Sequence, residues 1–438
     1  MSTTSLLVSC GSIAAAGVMA YWRQLGAPRL RPMTAEQFAA QAPPELRTAV
    51  FVIEDRAQTN LMFGALGLGA NDDGFPRVDA YYYVDHGLSV DVQMLGGQSI
   101  NDWTNEATLD AMSHYLGVEQ VTARSPEPGF IRLEVRVFDT LAASAALPSS
   151  VPNDVDLRAV PVGITETGEI ATIPILGTHG LCVGATGSGK GSVAYSILAA
   201  LGPLIRDGLV DVYCIDPKGG IEFGPAKDLF VKFAYQTAED ILVVLKEAIA
   251  VMRQRQAKLL AAGLRKHTPT KDEPLILILL DEAAALASYA DREVRTAFEE
   301  LNGLLLTQAR ATAVSMFAFV QDPSKENMPQ RQLYPVRIGL RLTEPTQVAM
   351  VFGAGARERG AHCDKISDTT PGVGYIEQDG STALTRVRFY WVDDNDIAAM
   401  VRAYAPRHEI VIPADDFDDF DPSTFDPDDL GDEGPVAA

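Results

Sequence analysis

A glycine-rich turn lies between a short apolar run, Leu181-Cys182-Val183, and a helical pattern over residues 191–202. The turn and the two residues after it are Gly184, Ala185, Thr186, Gly187, Ser188, Gly189, Lys190, Gly191 and Ser192. Glycines let successive backbone N–H groups point inward around phosphate oxygens, and the helix amino terminus adds partial positive charge. A buried strand, such a loop and a helix in this order predict a phosphate-binding loop for ATP, with Lys190 reaching the β- and γ-phosphates.

One position departs from the usual pattern of such loops. The hydroxyl residue expected directly after the lysine, a ligand of Mg²⁺, is replaced by Gly191, and Ser192 follows one place later. Two interpretations stay open at this point: Ser192 reaches the metal through a local shift, or the protein holds Mg²⁺ more loosely.

A second apolar strand ends in two acids. Residues 275–280 are all Leu or Ile, and Asp281 and Glu282 follow them. In an α/β fold, a strand that ends in acids delivers them to the crevice at the carboxyl edge of the sheet. The pattern predicts that Asp281 holds Mg²⁺, directly or through water, and that Glu282 polarises the attacking water.

Two further polar residues follow apolar or helical segments. Gln321 ends the next apolar strand, where an amide can sense the γ-phosphate or simply begin the turn at residues 321–324. Arg310 ends a helix with few acids nearby in the sequence. It is either a solvated surface residue or a cation that acts on the nucleotide of a neighbouring subunit.

Short apolar runs alternate with helical patterns at residues 191–202, 238–262 and 292–310, which predicts an α/β fold with a parallel sheet covered on both faces. Segments 80–84 and 131–137 alternate as half-buried strands around a helical pattern at 105–116. The predicted organisation is a membrane anchor at 1–22, a linker at 23–45, a small α+β domain at 46–145, a second linker at 146–160, the α/β domain at 161–405 and an acidic disordered tail at 406–438.

Composition limits the class of protein and the cellular compartment that the chain can belong to. The chain carries 36 Lys and Arg against 58 Asp and Glu, and its four cysteines and six histidines form no ligand-spaced cluster, which argues against a disulfide scaffold or a structural zinc site. Residues 6–22 lack charge and precede Arg23, which predicts a short membrane anchor with a cytoplasmic body or, alternatively, a buried or amphipathic helix. Residues 411–438 hold ten acids and no base, as is typical of a solvated tail.

The chain resembles the FtsK/SpoIIIE family of DNA-translocating ATPases, and more narrowly its actinobacterial conjugative-transfer branch. The resemblance rests on five motifs besides the phosphate loop: Ile215-Asp216-Pro217-Lys218-Gly219-Gly220, Asp281-Glu282, Gln308-Ala309-Arg310, Gln321 and Pro335-Val336-Arg337-Ile338. They fall within residues 165–390, over half the chain. The Gly191-Ser192 variant is similar to the transfer branch.

The resemblance implies a RecA-like P-loop NTPase motor domain preceded by a smaller oligomerising domain. It further implies a homo-oligomeric ring, six subunits in the family, that pulls double-stranded DNA through its pore with ATP and Mg²⁺. In that comparison Arg310 acts across the subunit boundary and Gln321 senses the γ-phosphate. The family's basic residue after the Arg337 strand has no clear match, although Arg341 can stand in, and the DNA-reading module at the carboxyl terminus is missing.

An acidic protein can bind DNA only through local positive charge. Two acid-free basic sets predict such contacts, the alternative being solvated faces: Arg253, Arg255, Lys258, Arg265 and Lys266, and then Arg331, Arg337 and Arg341. Two other functions stay open, an ATP-binding adaptor without turnover and a related ATPase that moves protein in secretion.

Overall fold

The computed structural model describes residues 33–287, 290–381 and 383–406, and their contacts divide the chain into two compact units. The smaller unit is built on residues 33–142 and the larger on residues 143–357 and 361–406. Within the described ranges no helix has the length and hydropathy that a membrane crossing requires. The predicted anchor at residues 6–22 and the acidic tail from residue 407 lie outside those ranges.

The smaller unit combines five helices with an antiparallel sheet. Its helices are α1 (Ala35–Gln41), α2 (Arg47–Glu54), α3 (Arg56–Ala65), α4 (Ile100–Thr104) and α5 (Glu106–Leu116). Its strands are β1 (Arg77–Val84), β2 (Gly87–Gln93), β3 (Gln120–Arg124) and β4 (Phe130–Arg136), in the order β1-β2-β4-β3. Ile131, Leu133 and Val135 of β4 all face the core, as the period-two alternation predicts.

Helix α1 lies in a stretch for which the sequence predicts a linker. Thr34 caps it by accepting a hydrogen bond from the Gln37 amide, and Ala42 and Leu46 just beyond it are buried in the core of the smaller unit. The helix itself buries no residue, so its sequence lacks the amphipathic pattern that identifies longer helices. The compact smaller unit therefore begins before residue 46.

The larger unit contains one sheet with helices packed against it. Its strands are β5 (Ala145–Ala146), β6 (Val160–Thr165), β7 (Ile170–Ile173), β8 (Gly180–Val183), β9 (Val210–Ile215), β10 (Lys232–Ala234), β11 (Leu275–Asp281), β12 (Val314–Val320), β13 (Val336–Gly339), β14 (Val373–Glu377) and β15 (Thr385–Trp391). Its helices are α6 (Lys190–Arg206), α7 (Ala238–Ala262), α8 (Ala284–Ala287), α9 (Arg292–Gln308), α10 (Pro345–Phe352) and α11 (Asp394–Tyr404).

The sheet is parallel in one half and antiparallel in the other. The strand order is β10-β9-β11-β12-β8-β13-β14-β15-β6-β7, and β5 pairs with β15. Strands from β10 to β13 run parallel, whereas the pairs from β13 to β7 are antiparallel. Every residue of β11 and β12 is buried, as expected for central strands covered on both faces. The predicted parallel sheet is thus confirmed for the half that contains the motifs.

The strand register aligns the motifs at one edge of the sheet. Asp281 pairs with Phe319 between β11 and β12, and Val320 pairs with Val183 between β12 and β8. Because these strands are parallel, the residues that follow them emerge at the same carboxyl edge. Strand β12, with Gln321 after it, lies between the strand of the phosphate loop and the strand of the two acids.

Candidate nucleotide-binding site

The turn after β8 has the backbone conformation of a phosphate-binding loop. Gly187 and Gly189 have φ angles of 73° and 98°, the left-handed region that favours glycine. A Cβ on Gly189 would lie 2.4 Å from the amide nitrogen of Gly372, and that amide donates to the Ser188 carbonyl at 2.8 Å. The backbone conformation therefore favours glycine at 187 and 189, and the close approach of residue 372 also requires it at 189.

Lys190 begins helix α6 and folds its side chain back over the loop. Its Nζ donates to the carbonyl of Gly184 at 2.8 Å and contacts that of Ala185 at 3.4 Å. Burial lowers the pKa of Lys190, which the nearby acid Glu282 partly opposes. An ammonium group held by two loop carbonyls can exchange them for phosphate oxygens, which are stronger, charged acceptors.

A cleft of about 420 Å³ opens above this loop. It is lined by Thr186, Gly187, Ser188, Gly189, Lys190, Lys218, Glu222, Phe223, Asp281, Phe319, Gln321, Pro371 and Trp391. The structure therefore brings the phosphate loop, the aspartate of the acid strand and the strand-end glutamine into one cleft, as the sequence predicts. The hydroxyl of Ser188 is buried there, and no group among the described residues forms a hydrogen bond with it.

The two strand-end acids share one lysine. The Nζ of Lys218 lies 3.1 Å from Oε2 of Glu282 and 3.6 Å from Oδ2 of Asp281. Burial alone lowers the pKa of Lys218, but the charges of Asp281 and Glu282 outweigh it and raise the pKa. Sequence reasoning assigned no role to Lys218, although it lies in the Asp216-Pro217-Lys218 motif. A lysine three residues past the end of a parallel strand is the signal that could have indicated this placement.

Glu282 adopts an unusual backbone conformation. Its φ angle is 42°, in the left-handed region that costs a non-glycine residue about 1–3 kcal/mol. The start of helix α8 holds this conformation, because the Ala285 amide donates to the Glu282 carbonyl at 2.9 Å. The side chain is 11% exposed, and its carboxylate points at Lys218 and at the amide of Gln321. Strain of this kind often accompanies a functional side chain.

Gln321 joins the two halves of the cleft. Its side-chain oxygen accepts from the Thr186 hydroxyl at 2.9 Å, and its backbone amide lies 3.5 Å from Oε1 of Glu282. A phosphate that binds near Thr186 would therefore compete with Gln321 for the Thr186 hydroxyl. Because the Gln321 amide also lies next to Glu282, the change could reach that carboxylate. On the other side of the loop, Arg341 donates to the Thr186 carbonyl at 2.9 Å.

The donor set suits a hard cation such as Mg²⁺. Carboxylate oxygens from Asp281 and Glu222 line the cleft beside the loop, and oxygen donors are the ligands that Mg²⁺ prefers. When bound, Mg²⁺ neutralises the charge that develops on phosphate oxygens. Ser192, the other predicted ligand, is absent from the residues that line the described cleft; its Cβ lies 4.0 Å from the position of a Cβ on Gly372.

We expect Asp281→Asn to stabilise the protein at pH 7 when nucleotide and magnesium are absent. Burial raises the pKa of Asp281 from 3.8 to about 6, with Lys218 opposing and the nearby carboxylates of Asp216, Glu282 and Glu222 adding to the rise. The folded protein therefore holds this proton more tightly than the unfolded chain does. Below pH 4 Asp281 is protonated in both states and does not lower the free energy of unfolding. As the pH rises through 6 it ionises, and the loss of unfolding free energy grows to about 3 kcal/mol.

Denaturant unfolding in EDTA measures this effect as the difference between Asp281→Asn and wild type. We expect the variant's advantage in unfolding free energy to fall towards zero as the pH is lowered from 7 to 4. An advantage that does not depend on pH would contradict a raised pKa for this carboxyl group.

Arg310 lies at the opposite edge of the sheet from the cleft. Its Nε donates to the carbonyl of Gly177, which precedes β8, and its Nη2 lies 2.7 Å from Oδ2 of Asp379. Strand β8 alone separates the two edges by about 13 Å. Arg310 therefore does not line the cleft of its own chain. Few acids lie near it in the sequence, but the fold places Asp379, in the loop after β14, beside it.

The two basic sets differ in exposure: the first is mostly exposed, and the second is partly buried. Arg255 is 3% exposed and donates to the carbonyls of Thr312 and Pro274 at 2.9 and 2.6 Å, so it ties α7 to the strand ends. Lys258 pairs with Glu273, and Arg337 donates to the Val351 carbonyl and lies 3.8 Å from Glu377. The sequence could not show this, because the acids and carbonyls come from distant segments. In the first set, four residues are exposed: Arg253, Lys258, Arg265 and Lys266. In the second set, Arg331, Arg337 and Arg341 are partly buried.

A phosphate loop, strand-end acids and an intervening strand with a terminal amide define a mixed α/β P-loop ATPase fold. Residues 139–274, which include the phosphate loop and the Asp216-Pro217-Lys218 motif, match the model of the FtsK/SpoIIIE family. The resemblance drawn from the motifs is thereby confirmed.

Three similar proteins extend this assignment. The transfer protein TraSA of Streptomyces ambofaciens is 25% identical over 342 residues, which cover 72% of this chain and 78% of TraSA. The DNA translocase FtsK of Streptococcus pyogenes is 26% identical over 277 residues, which cover 56% of this chain but only 33% of that protein. The solved monomer of the pCW3 conjugation coupling protein TcpA with ATPγS has a TM-score of 0.50 at 18% identity, covers 79% of this chain and 98% of its own, and supports the fold.

Proposed function

We propose that the protein is an ATPase that uses ATP hydrolysis to translocate double-stranded DNA, as part of the transfer of a mobile element or of chromosome segregation. The observation that carries the proposal is the convergence of Lys190, Asp281 and Gln321 on one cleft, with Glu282 in contact with two residues of its lining, Lys218 and Gln321. The similarity to a transfer protein and to a DNA translocase supports DNA as the substrate.

In this proposal each residue has one role. The loop amides and Lys190 bind the phosphates, and Asp281 holds Mg²⁺. Glu282 accepts a proton from the attacking water, since its carboxylate lies beside two residues of the cleft lining, Lys218 and Gln321. Gln321 reports on the γ-phosphate through its bond to Thr186. Arg310 acts on the nucleotide of the next subunit in a homo-oligomeric ring, because its own cleft is out of reach.

Only the exposed basic side chains can make the predicted contacts with DNA. Arg253 and Lys258 on α7, and Arg265 and Lys266 just after it, are exposed and available for phosphate contacts, whereas Arg255 is held in the core. Contacts of this kind read the backbone rather than the bases, which suits a protein that moves along any sequence. Tethering to the cytoplasmic membrane by residues 6–22 belongs to the same proposal.

We expect hydrolysis by the purified full chain to be stimulated several-fold by double-stranded DNA and much less by single strands. Steady-state phosphate release with each DNA and without DNA measures this, with Lys190→Ala as the inactive control. Tight ATP binding without turnover would instead favour an adaptor. Turnover that responds to a substrate protein but not to DNA would favour a secretion ATPase.

A further inference from the structure

Position 191 in helix α6 has no side chain, and a carboxylate lies in the space that a side chain would occupy. A Cβ built on Gly191 would lie 2.3 Å from Oε1 of Glu222, far closer than any real contact. A side chain at residue 191 and Glu222 in its present position therefore exclude each other. This is the position at which phosphate-binding loops usually carry the hydroxyl ligand of the metal.

The fold fixes the backbone of Glu222 over helix α6. The hydroxyl of Tyr195, one turn along that helix, donates to the Glu222 carbonyl at 2.6 Å. The next residue, Phe223, is 1% exposed; its amide lies 3.4 Å from Oδ2 of the fully buried Asp216, and its ring centre lies 5.7 Å from that of Tyr195. The core therefore fixes the backbone of Glu222 over helix α6, and from this position its exposed side chain places the carboxylate beside Gly191.

The other candidate for the missing ligand does not line the described cleft. Ser192 lies one residue along the helix, and its Cβ is near Gly372. Glu222 and Asp281 both line the cleft, whereas Ser192 does not appear among the described residues that do.

We propose that Glu222 supplies the oxygen ligand for Mg²⁺ that the loop lacks at residue 191, together with Asp281. This inference rests on the proposed function, because it concerns the metal of the same nucleotide. Mg²⁺ accepts carboxylate oxygens readily. A carboxylate differs from a hydroxyl by a full negative charge, so the use of Glu222 in place of a hydroxyl has a second consequence. Without Mg²⁺, Glu222 repels the phosphates of ATP; with Mg²⁺, it binds the metal. ATP binding by this protein depends on Mg²⁺ more steeply than in a hydroxyl-bearing loop.

The test is the affinity of the full chain for ATPγS, measured by calorimetry or fluorescence in Mg²⁺ and again in EDTA. For Glu222→Gln we expect weaker binding in Mg²⁺ and tighter binding in EDTA, so that the ratio of the two affinities falls about tenfold or more. A merely structural role of Glu222 would weaken both affinities. Asp228→Asn, a nearby exposed acid outside the cleft, is the matched control and should keep the wild-type ratio.

A pair of substitutions tests whether a serine at residue 191 can replace Glu222 as the ligand. Gly191→Ser alone should lose Mg²⁺-dependent binding, because the new side chain meets Glu222. Gly191→Ser combined with Glu222→Ala should regain it, since the serine then has room and supplies the usual hydroxyl. A double variant no better than Gly191→Ser would contradict the proposed exchange.

Two outcomes would overturn the inference while leaving the proposed function intact. One is a wild-type ratio in Glu222→Gln. The other is a loss of Mg²⁺ dependence in Ser192→Ala while Glu222→Gln keeps it, which would assign the ligand to Ser192. Failure of the wild-type chain to bind ATPγS under any condition would instead overturn the proposed function itself.

Discussion

Glu282→Gln should lower ATP hydrolysis by about 10²- to 10⁴-fold while ATP binding is retained. The amide keeps the size of the side chain but cannot accept a proton from water. Glu282 is the acid for which the fold tolerates a φ angle of 42°, and its carboxylate lies between Lys218 and the amide of Gln321. Because neither contact involves the phosphate loop, the substitution should leave the loop free to bind nucleotide.

Single-turnover hydrolysis and equilibrium binding of ATP, measured on the same preparation, separate the two effects. Lys190→Ala should lose binding as well as hydrolysis, since it removes the cation held by the loop carbonyls. Glu300→Gln, an exposed acid on α9, is the matched control and should behave like wild type. Turnover at the wild-type rate in Glu282→Gln would show that another group accepts the proton.

Arg310→Ala should reduce DNA-stimulated hydrolysis by about 10³-fold or more in uniform assemblies, the size expected when an arginine stabilises the phosphoryl transition state. The residue lies at the amino edge of the sheet beside Gly177, so it cannot contribute to its own cleft. Its present partner, Asp379, forms an exposed ion pair of the kind that contributes only about 0.2–1 kcal/mol and is readily exchanged for a phosphate.

Mixing Arg310→Ala with wild-type protein tests the action between subunits. We expect inhibition greater than the mole fraction of the variant, because each defective subunit disables a neighbour's site. Asp379→Ala separates the loss of the ion pair from the loss of the arginine, and it should retain hydrolysis. A loss that is merely proportional to the mixing ratio would contradict the role across the boundary.

The sequence was most informative where structure depends on local pattern. The apolar runs predict β11 and β12 to within a residue, and the helix predicted at 238–262 is observed with those bounds. The phosphate loop is equally local, because its glycines are required by the φ angles of the turn itself. Parallel pairing then brings the strand-end acids to the loop without further information.

What the sequence could not show depends on contacts between distant segments. Lys218 and Glu222 enter the cleft because the segment after β9 folds over helix α6, which no periodicity indicates. Arg255 is indistinguishable in the sequence from its exposed neighbours, yet it is buried because carbonyls from residues 274 and 312 converge on it. The antiparallel half of the sheet has short strands of mixed burial, so its pattern does not identify the pairing.

The displacement of a third DNA strand from a triplex tests most directly whether the cleft drives movement along DNA. In this assay the full chain is loaded on a duplex that carries a triplex-forming oligonucleotide, and release of the oligonucleotide is followed with ATP and Mg²⁺. We predict ATP-dependent release by wild type and none by Glu282→Gln. Stimulated hydrolysis by wild type without any release would contradict the account, because the energy of ATP would then not be coupled to movement along the duplex.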